Sequence, residues 1–266
     1  MTVLDTDTFA ADWAAWHEQH ERVRADGHGF LAITGLHWLT DQPQRLDGAP
    51  GEWWTGAGGP VVRLAEGETL VVDGETVTGE HAFGVIPERG GVDAGFGDAV
   101  VEVARRGGAD VVRPRHPSSS VLRDYPGTPA YPADPRWAVT GRYVPFDEPR
   151  PTTVGAVVEG LQHVYDAPGR VEFELDGRPL SLTAFNGPKP GSLFILFTDE
   201  TSGVTTYAAN RSLKIDPPDA DGAVVLDFNR ATNLPCAYTQ FATCPLPPAE
   251  NRLPVAVEAG EKKPVG

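Results

Sequence analysis

The sequence predicts a mainly β protein, an antiparallel sandwich or partly open barrel with one N-terminal amphipathic helix and long proline-rich loops. Three observations carry that expectation. Glycine (30) and proline (25) are both abundant among 266 residues, which favours many turns over long helices. Two Asp-Gly pairs sit between apolar stretches, a hairpin signal. One segment alone carries a clear helical stripe.

That helix is expected over residues 8–26. Phe9, Trp13, Trp16, His20 and Val23 recur at spacings of four, three, four and three, which puts them on one face. Asp7 or Thr8 suits the N-cap and Gly27 the stop. The stripe reads as core packing rather than as a ligand box. Gly29–Leu39 is apolar and bounded by turns, and its periodicity leaves a strand and a short glycine-broken helix both open. His37, beside Trp38, is a proton shuttle or a half-buried histidine held by a backbone carbonyl.

β signals dominate from there. Asp73-Gly74 joins VV to ETV. Asp176-Gly177 joins Val171, Phe173 and Leu175 to Leu180, Leu182 and Ala184, alternating on both sides of the turn. Leu193–Phe197 is a continuous apolar run, expected as a buried strand; VTTYA, AVVLDF and LPVAV are further candidates. Arg113–Pro151 holds nine prolines, which disfavours regular sheet through most of it and suits a linker, a lid or a wrapping loop. Trp137, Val139, Tyr143 and Val144 mark one strand returning inside it. The chain is read as a single domain over 1–266, with a smaller N-terminal part at 1–110 and the main β core at 136–262.

Composition narrows the function classes. With 40% apolar and 22% charged residues the chain can fold. A net charge of -15 repels phosphate backbones and anionic lipid, so neither nucleic acid nor membrane is an expected partner. No apolar run reaches the length of a membrane span, and the N-terminus lacks a basic region followed by an apolar one. With two cysteines only, Cys236 and Cys244, a cytoplasmic protein is expected. Arg105, Arg106, Arg113, Arg115 and Arg123 form the one basic stretch, read as a solvated loop balancing the acidic surface in preference to an anion site.

Common catalytic motifs are missing. The sequence has no Walker A loop, no GxGxxG after a strand, no GxSxG elbow and no HExxH. The seven histidines show no zinc spacing, and the cysteines, eight apart, read as buried thiols, with a disulfide or a ligand pair as alternatives. No metal and no cofactor are expected.

The C-terminal third concentrates polar residues. Asp199, Tyr207 and Arg211 fall around one turn; Asp227, Asn229 and Asn233 follow the AVVLDF strand; Cys236, Glu250 and Asn251 flank a loop stiffened by Pro235, Pro245, Pro247 and Pro248. Three functions stay open. A hydrolase- or lyase-type enzyme would use Asp227 or Glu250 as base, Arg211 to hold an anionic substrate, and Tyr207, Asn229 and Asn233 as hydrogen-bond donors, with Asp199, Cys236 and Asn251 completing the pocket. A binding module would keep the pocket and break no bond. A structural network would tie the proline-rich loop to the sheet. The cluster as a whole favours a small-molecule pocket.

One string gathers these residues: F-x-D-x-T-S-G-x-x-T-Y, R-x-L, DFN-x-A-x-N-x-P-C-A-Y, CPLPP-x-EN-x-L and AGEK, over about 194–262. It resembles the bacterial and archaeal family called domain of unknown function 1684. The likeness is looser upstream, through GLHWL and the ELDG hairpin. The sequence departs from the family pattern at Ala209-Asn210, where glycine is usual before the arginine, and at Thr232, where an aromatic is usual. The resemblance implies a family and no particular reaction.

Overall fold

The computed structural model describes residues 6–265. Its chain groups into two compact units. Unit 1 takes Met1–Glu21, Pro126–Ala237 and Cys244–Gly266, and unit 2 takes Arg22–Tyr125 and Tyr238–Thr243.

The N-terminal helix α1 spans Thr6–Arg24, so Asp7 and Thr8 lie inside it and it stops before Gly27. Its stripe is not core. Phe9, Trp13, Trp16 and His20 are half-buried, and Val23 is 63% exposed.

Unit 2 is a sandwich. Its strands are β1 (His37–Trp38), β2 (Gln44–Arg45), β3 (Glu52–Gly56), β4 (Gly59–Arg63), β5 (Leu70–Val72), β6 (Glu75–Val77), β7 (Glu80–Ala82), β8 (Gly91–Phe96), β9 (Ala99–Arg106) and β10 (Ala109–Arg115). One sheet runs β1-β10-β9-β8-β5-β6 and the other β2-β3-β4-β7. Trp53 and Val62 of the second sheet share a core with Leu70, Val101, Val103 and Val112 of the first. Asp73 and Gly74 both take positive φ, the geometry of a tight hairpin between β5 and β6.

Most of the basic stretch proves to be part of this sheet and not a solvated loop; Arg123 lies outside the sheet, exposed and paired with its neighbour Asp124. Arg106, Arg113 and Arg115, from β9 and β10, all pair with the buried Glu102, at 3.0 Å for Arg106 and 2.6 Å for Arg113. Arg105 pairs with Asp110 at 3.0 Å. Burial pushes the Glu102 carboxyl up, but the three guanidinium groups outweigh it and hold the group below its ordinary value.

Unit 1 is one curved sheet. It contains β11 (Ala138–Gly155), β12 (Gln162–Leu175), β13 (Arg178–Asn186), β14 (Leu193–Phe197), β15 (Arg211–Ile215) and β16 (Ala223–Asp227), in the order β15-β14-β13-β12-β11-β16. The edge strands β15 and β16 approach one another without pairing, so the barrel stays partly open. Val171, Phe173, Leu182, Ile195, Phe197, Leu213 and Leu226 fill the concave side. Asp176-Gly177 makes the expected hairpin, again with positive φ at both residues. Two expected strands are absent. VTTYA is a tight turn, because the Thr201 carbonyl accepts from the amides of Val204, Thr205 and Thr206. LPVAV alternates as a strand would, with Leu253, Val255 and Val257 buried, but it crosses the core without joining the sheet.

The proline-rich segment splits. Residues 116–137 are mostly irregular, whereas β11 continues through Pro145, Pro149 and Pro151. The strand accommodates Pro149 by a bulge, as pairing jumps from Pro145↔Gly169 to Arg150↔Ala167 and leaves Phe146–Pro149 outside the ladder, while Pro145 and Pro151 keep their register opposite Gly169 and Asp166. Among the described residues no helix is long and apolar enough to cross a membrane.

Candidate functional site

The polar residues of the C-terminal third separate into five places in unit 1. The first is the Asp199–Arg211 pair. The β15 strand starts at Arg211, whose guanidinium donates to Asp199 Oδ2 at 2.7 Å, to the Val257 carbonyl at 3.0 Å and to the Ala259 carbonyl. Asp199 Oδ1 accepts from the Thr201 amide (2.8 Å), the Thr201 hydroxyl (2.6 Å) and the Val257 amide (3.2 Å). The two side chains are 1% and 0% exposed. Burial pulls the Arg211 pKa down, against the charges of Asp199, Tyr131 and Glu261.

The second place is the end of β16. Asp227 caps the short helix Phe228–Arg230, accepting from the Asn229 amide at 3.1 Å and the Asn229 side chain at 2.9 Å, while its other oxygen pairs with Arg230 at 3.2 Å. Asn229, buried, also exchanges bonds with the Asp134 backbone, and its carbonyl accepts from the Trp13 indole at 2.7 Å. Asp227 and Arg230 line an open pocket of about 460 Å3 with Lys214 and Asp219.

The third is the gap between β13 and β14, which pair only at Phe185↔Phe194 and Asn186↔Leu193. Fully buried Asn251 fills the gap. It donates to the carbonyls of Thr183 and Leu196, both at 2.8 Å, and accepts from the Thr183 amide at 2.7 Å. Glu250, exposed, accepts from the Thr183 hydroxyl at 3.0 Å. The fourth place holds the thiols. Tyr207 donates to the Cys236 carbonyl at 2.7 Å, and burial pushes its hydroxyl up to about 12. The Cys236 amide lies 3.4 Å from Cys244 Sγ, and the hydrogen bond between the two thiols holds Cys236 below its ordinary value. Both cysteines are unbridged.

Asn233 leads elsewhere. Its amide donates to Glu261 Oε2 at 2.6 Å and its side chain to the Lys262 carbonyl at 2.8 Å. Glu261 is 1% exposed. The glycine before it explains the placement: Gly260 has φ +72°, and a Cβ there would meet the Ala231 and Phe228 carbonyls at 2.6 and 2.7 Å. The turn delivers the Glu261 amide to the Ala231 carbonyl (2.9 Å) and the Lys262 amide to the Pro129 carbonyl (2.8 Å). Glu261 then meets the helix. One ligating atom each from His17, Glu21 and Glu261 lies within 4.8 Å of the other two. His20 Nε2 is 3.6 Å from Glu261 Oε1. His17 stacks on Trp13 at 4.8 Å and His20 on Trp16 at 5.2 Å, so the helical aromatics orient the imidazoles. Glu21 accepts from the Thr128 amide at 3.1 Å. His17 and Glu21 line a second open pocket, of about 480 Å3, walled by Pro126, Gly127, Thr128, Pro129 and Val265.

This second constellation was not legible as a site in the sequence. His17 and Glu21 are one helical turn apart, which was a usable signal, but their partner lies 240 residues beyond Glu21. A chemist would expect such a set, two imidazoles and two carboxylates beside a cavity, to move protons or to hold a cation.

Comparison with curated proteins gives no match. Among solved structures the chain is similar to the solution NMR structure of an uncharacterized protein of Haloarcula marismortui, at 31% identity over 53% of this chain and 78% of that one, with a TM-score of 0.44. A family model described as protein of unknown function DUF1684 matches residues 123–262, just over half of the chain and nearly all of the site's C-terminal portion. The chain belongs to the DUF1684 family.

Proposed function

We propose that unit 1 binds a small molecule in the pocket lined by His17, Glu21 and Pro126–Pro129, and acts on it by hydrolase- or lyase-type proton transfer in the reducing cytoplasm. The observation that carries this is the convergence of the buried Glu261 on His17 and Glu21, which line that pocket. Glu21, the more exposed carboxylate, takes a proton from water or from a carbon acid, and the His17 imidazole returns one to the leaving group. Asp199 and Arg211 act at one remove. They anchor Val257 and Ala259, the strand of backbone that leads into Gly260 and Glu261. With Glu21 at its wall and Glu261 close behind, the pocket favours a neutral or cationic molecule, or an anion bridged by a cation.

A second function is favoured by one observation, that Lys214 and Arg230 line the pocket beside Asp227. It is non-catalytic capture of a zwitterionic molecule, since Asp216 and Asp219 line the same pocket and both Asp227 oxygens are committed to Asn229 and Arg230.

A thermal-shift screen of the full chain against metabolites separates these. Stabilisation by several degrees that Glu21→Gln abolishes and Arg230→Ala retains supports the first pocket; the reverse pattern supports the second. Stabilisation by no compound, or responses unchanged in both variants, overturns the proposal.

A further inference from the structure

We infer that His17, Glu21 and Glu261 hold a divalent transition-metal ion, an inference that rests on the pocket proposed above. The set is the one group of His, Cys, Asp and Glu with metal-ligand spacing among the described residues. Bonds from such ions to imidazole nitrogen and carboxylate oxygen are about 2.0–2.2 Å, so the donor atoms of a tetrahedral site stand roughly 3.3–3.6 Å apart. Atoms within 4.8 Å of one another reach that span by side-chain closure of at most about 1.5 Å.

Each ligand is supported from behind. His17 and Glu21 project from one face of α1, four residues apart. The ring of His17 is set by stacking on Trp13. Glu21 takes the Thr128 amide and Glu261 the Asn233 amide, bonds that fix both carboxylates in place. The positive φ of Gly260 aims Glu261 at the helix. His20, 3.6 Å from Glu261, stands as a fourth ligand or as the carboxylate's outer partner.

The donor set selects the metal. One imidazole with two carboxylates suits zinc, manganese or iron(II); calcium and magnesium sites are built from oxygen alone, and no thiolate takes part. Three protein ligands leave coordination positions toward the cavity that His17 and Glu21 line. With Glu21 and His17 bound to it, the ion would take over their proton-transfer role by acidifying a bound water or polarising a substrate oxygen, and would let the acidic pocket accept an anionic substrate.

The test uses the full chain stripped with a chelator and titrated with Zn2+ or Mn2+ by calorimetry. One ion per chain is expected, with affinity lowered at least tenfold in His17→Asn and Glu21→Gln, both on a half-exposed helix face. Pulsed EPR of the wild-type Mn2+ complex should show imidazole nitrogen coupling, a readout that needs no variant. The inference fails if wild-type protein binds no stoichiometric ion, if both variants bind as tightly as wild type, or if the nitrogen coupling is missing. Repeating the ligand screen in chelator keeps the two ideas apart. Ligand binding without metal leaves the pocket standing and removes the ion, whereas metal binding with no ligand response removes the pocket function and keeps the ion.

Discussion

Replacing Asp199 with alanine leaves the Arg211 guanidinium buried beside the Val257 and Ala259 carbonyls without its paired carboxylate, Glu261 remaining as a weaker counter-charge. Removing one member of a buried ion pair costs about 3–5 kcal/mol, because the remaining charge stays desolvated. The Thr201 and Val257 amides lose their acceptor as well, which moves the expectation toward the upper end of that range. For a unit of this size, about 2–4 °C is lost per kcal/mol, so the melting temperature should fall by roughly 6–20 °C. Far-UV circular dichroism melts and urea titrations measure it directly. A double-mutant cycle with Arg211→Met isolates the pair. The double variant, carrying neither charge of the pair, should be less destabilised than the two single changes summed, by roughly 1–3 kcal/mol. A loss under about 1 kcal/mol in Asp199→Ala, the size seen for exposed ion pairs, would refute the reasoning.

Three further outcomes are expected. Gly260→Ala forces a Cβ against two carbonyls at a positive φ, so it should cost more than about 1 kcal/mol in thermal melts and lower metal affinity at Glu261; an unchanged melt contradicts the steric argument. Asn251→Ala removes all three bonds that close the gap between β13 and β14, and should destabilise by about 2–4 kcal/mol in urea, with hydrogen exchange rising first at Thr183. Glu102 has a folded pKa below its ordinary value of 4.5, so its contribution is fully present above that pH and is lost as pH falls through the folded value. Urea midpoints at pH 7 and in the acid range below 4.5 should therefore drop further in wild type than in Glu102→Gln; parallel curves would show that Glu102 is not linked to acid unfolding.

Local chemistry was legible wherever it is decided within a few residues. Asp73-Gly74 and Asp176-Gly177 make hairpins because those residues accept positive φ. Leu193–Phe197 is buried because both of its faces are apolar. VTTYA misled because strand propensity lost to one carbonyl, that of Thr201, which collects three amides into a turn. The prolines of 145–151 misled in the other direction, since a bulge takes Pro149 out of the ladder while Pro145 and Pro151 stay in register within it. The arginines of β9 and β10 looked solvated because their common acid, Glu102, is recognisable only once the hairpin brings the strands together.

The candidate site shows the same division at longer range. Asp199, Arg211, Asn229, Asn233 and Asn251 stood out as polar residues in need of partners, and each has them. Which of them face a cavity depends on the direction of each side chain, and that is set by the sheet and by Gly260. His20 reads as part of a packing stripe and His17 as one of several scattered histidines, because helical periodicity reports only a shared face, not what the face meets.

By itself, then, the sequence determined the β class, the hairpins, the N-terminal helix and the family signature, since turn chemistry and periodicity act over a handful of residues. The tertiary structure alone decided that the signature's buried pair serves as an anchor, and that Glu261 closes on the helix. Bringing atoms from residues 17, 21 and 261 within 4.8 Å takes the whole curved sheet and its core, and no local pattern encodes a contact that long-range packing creates.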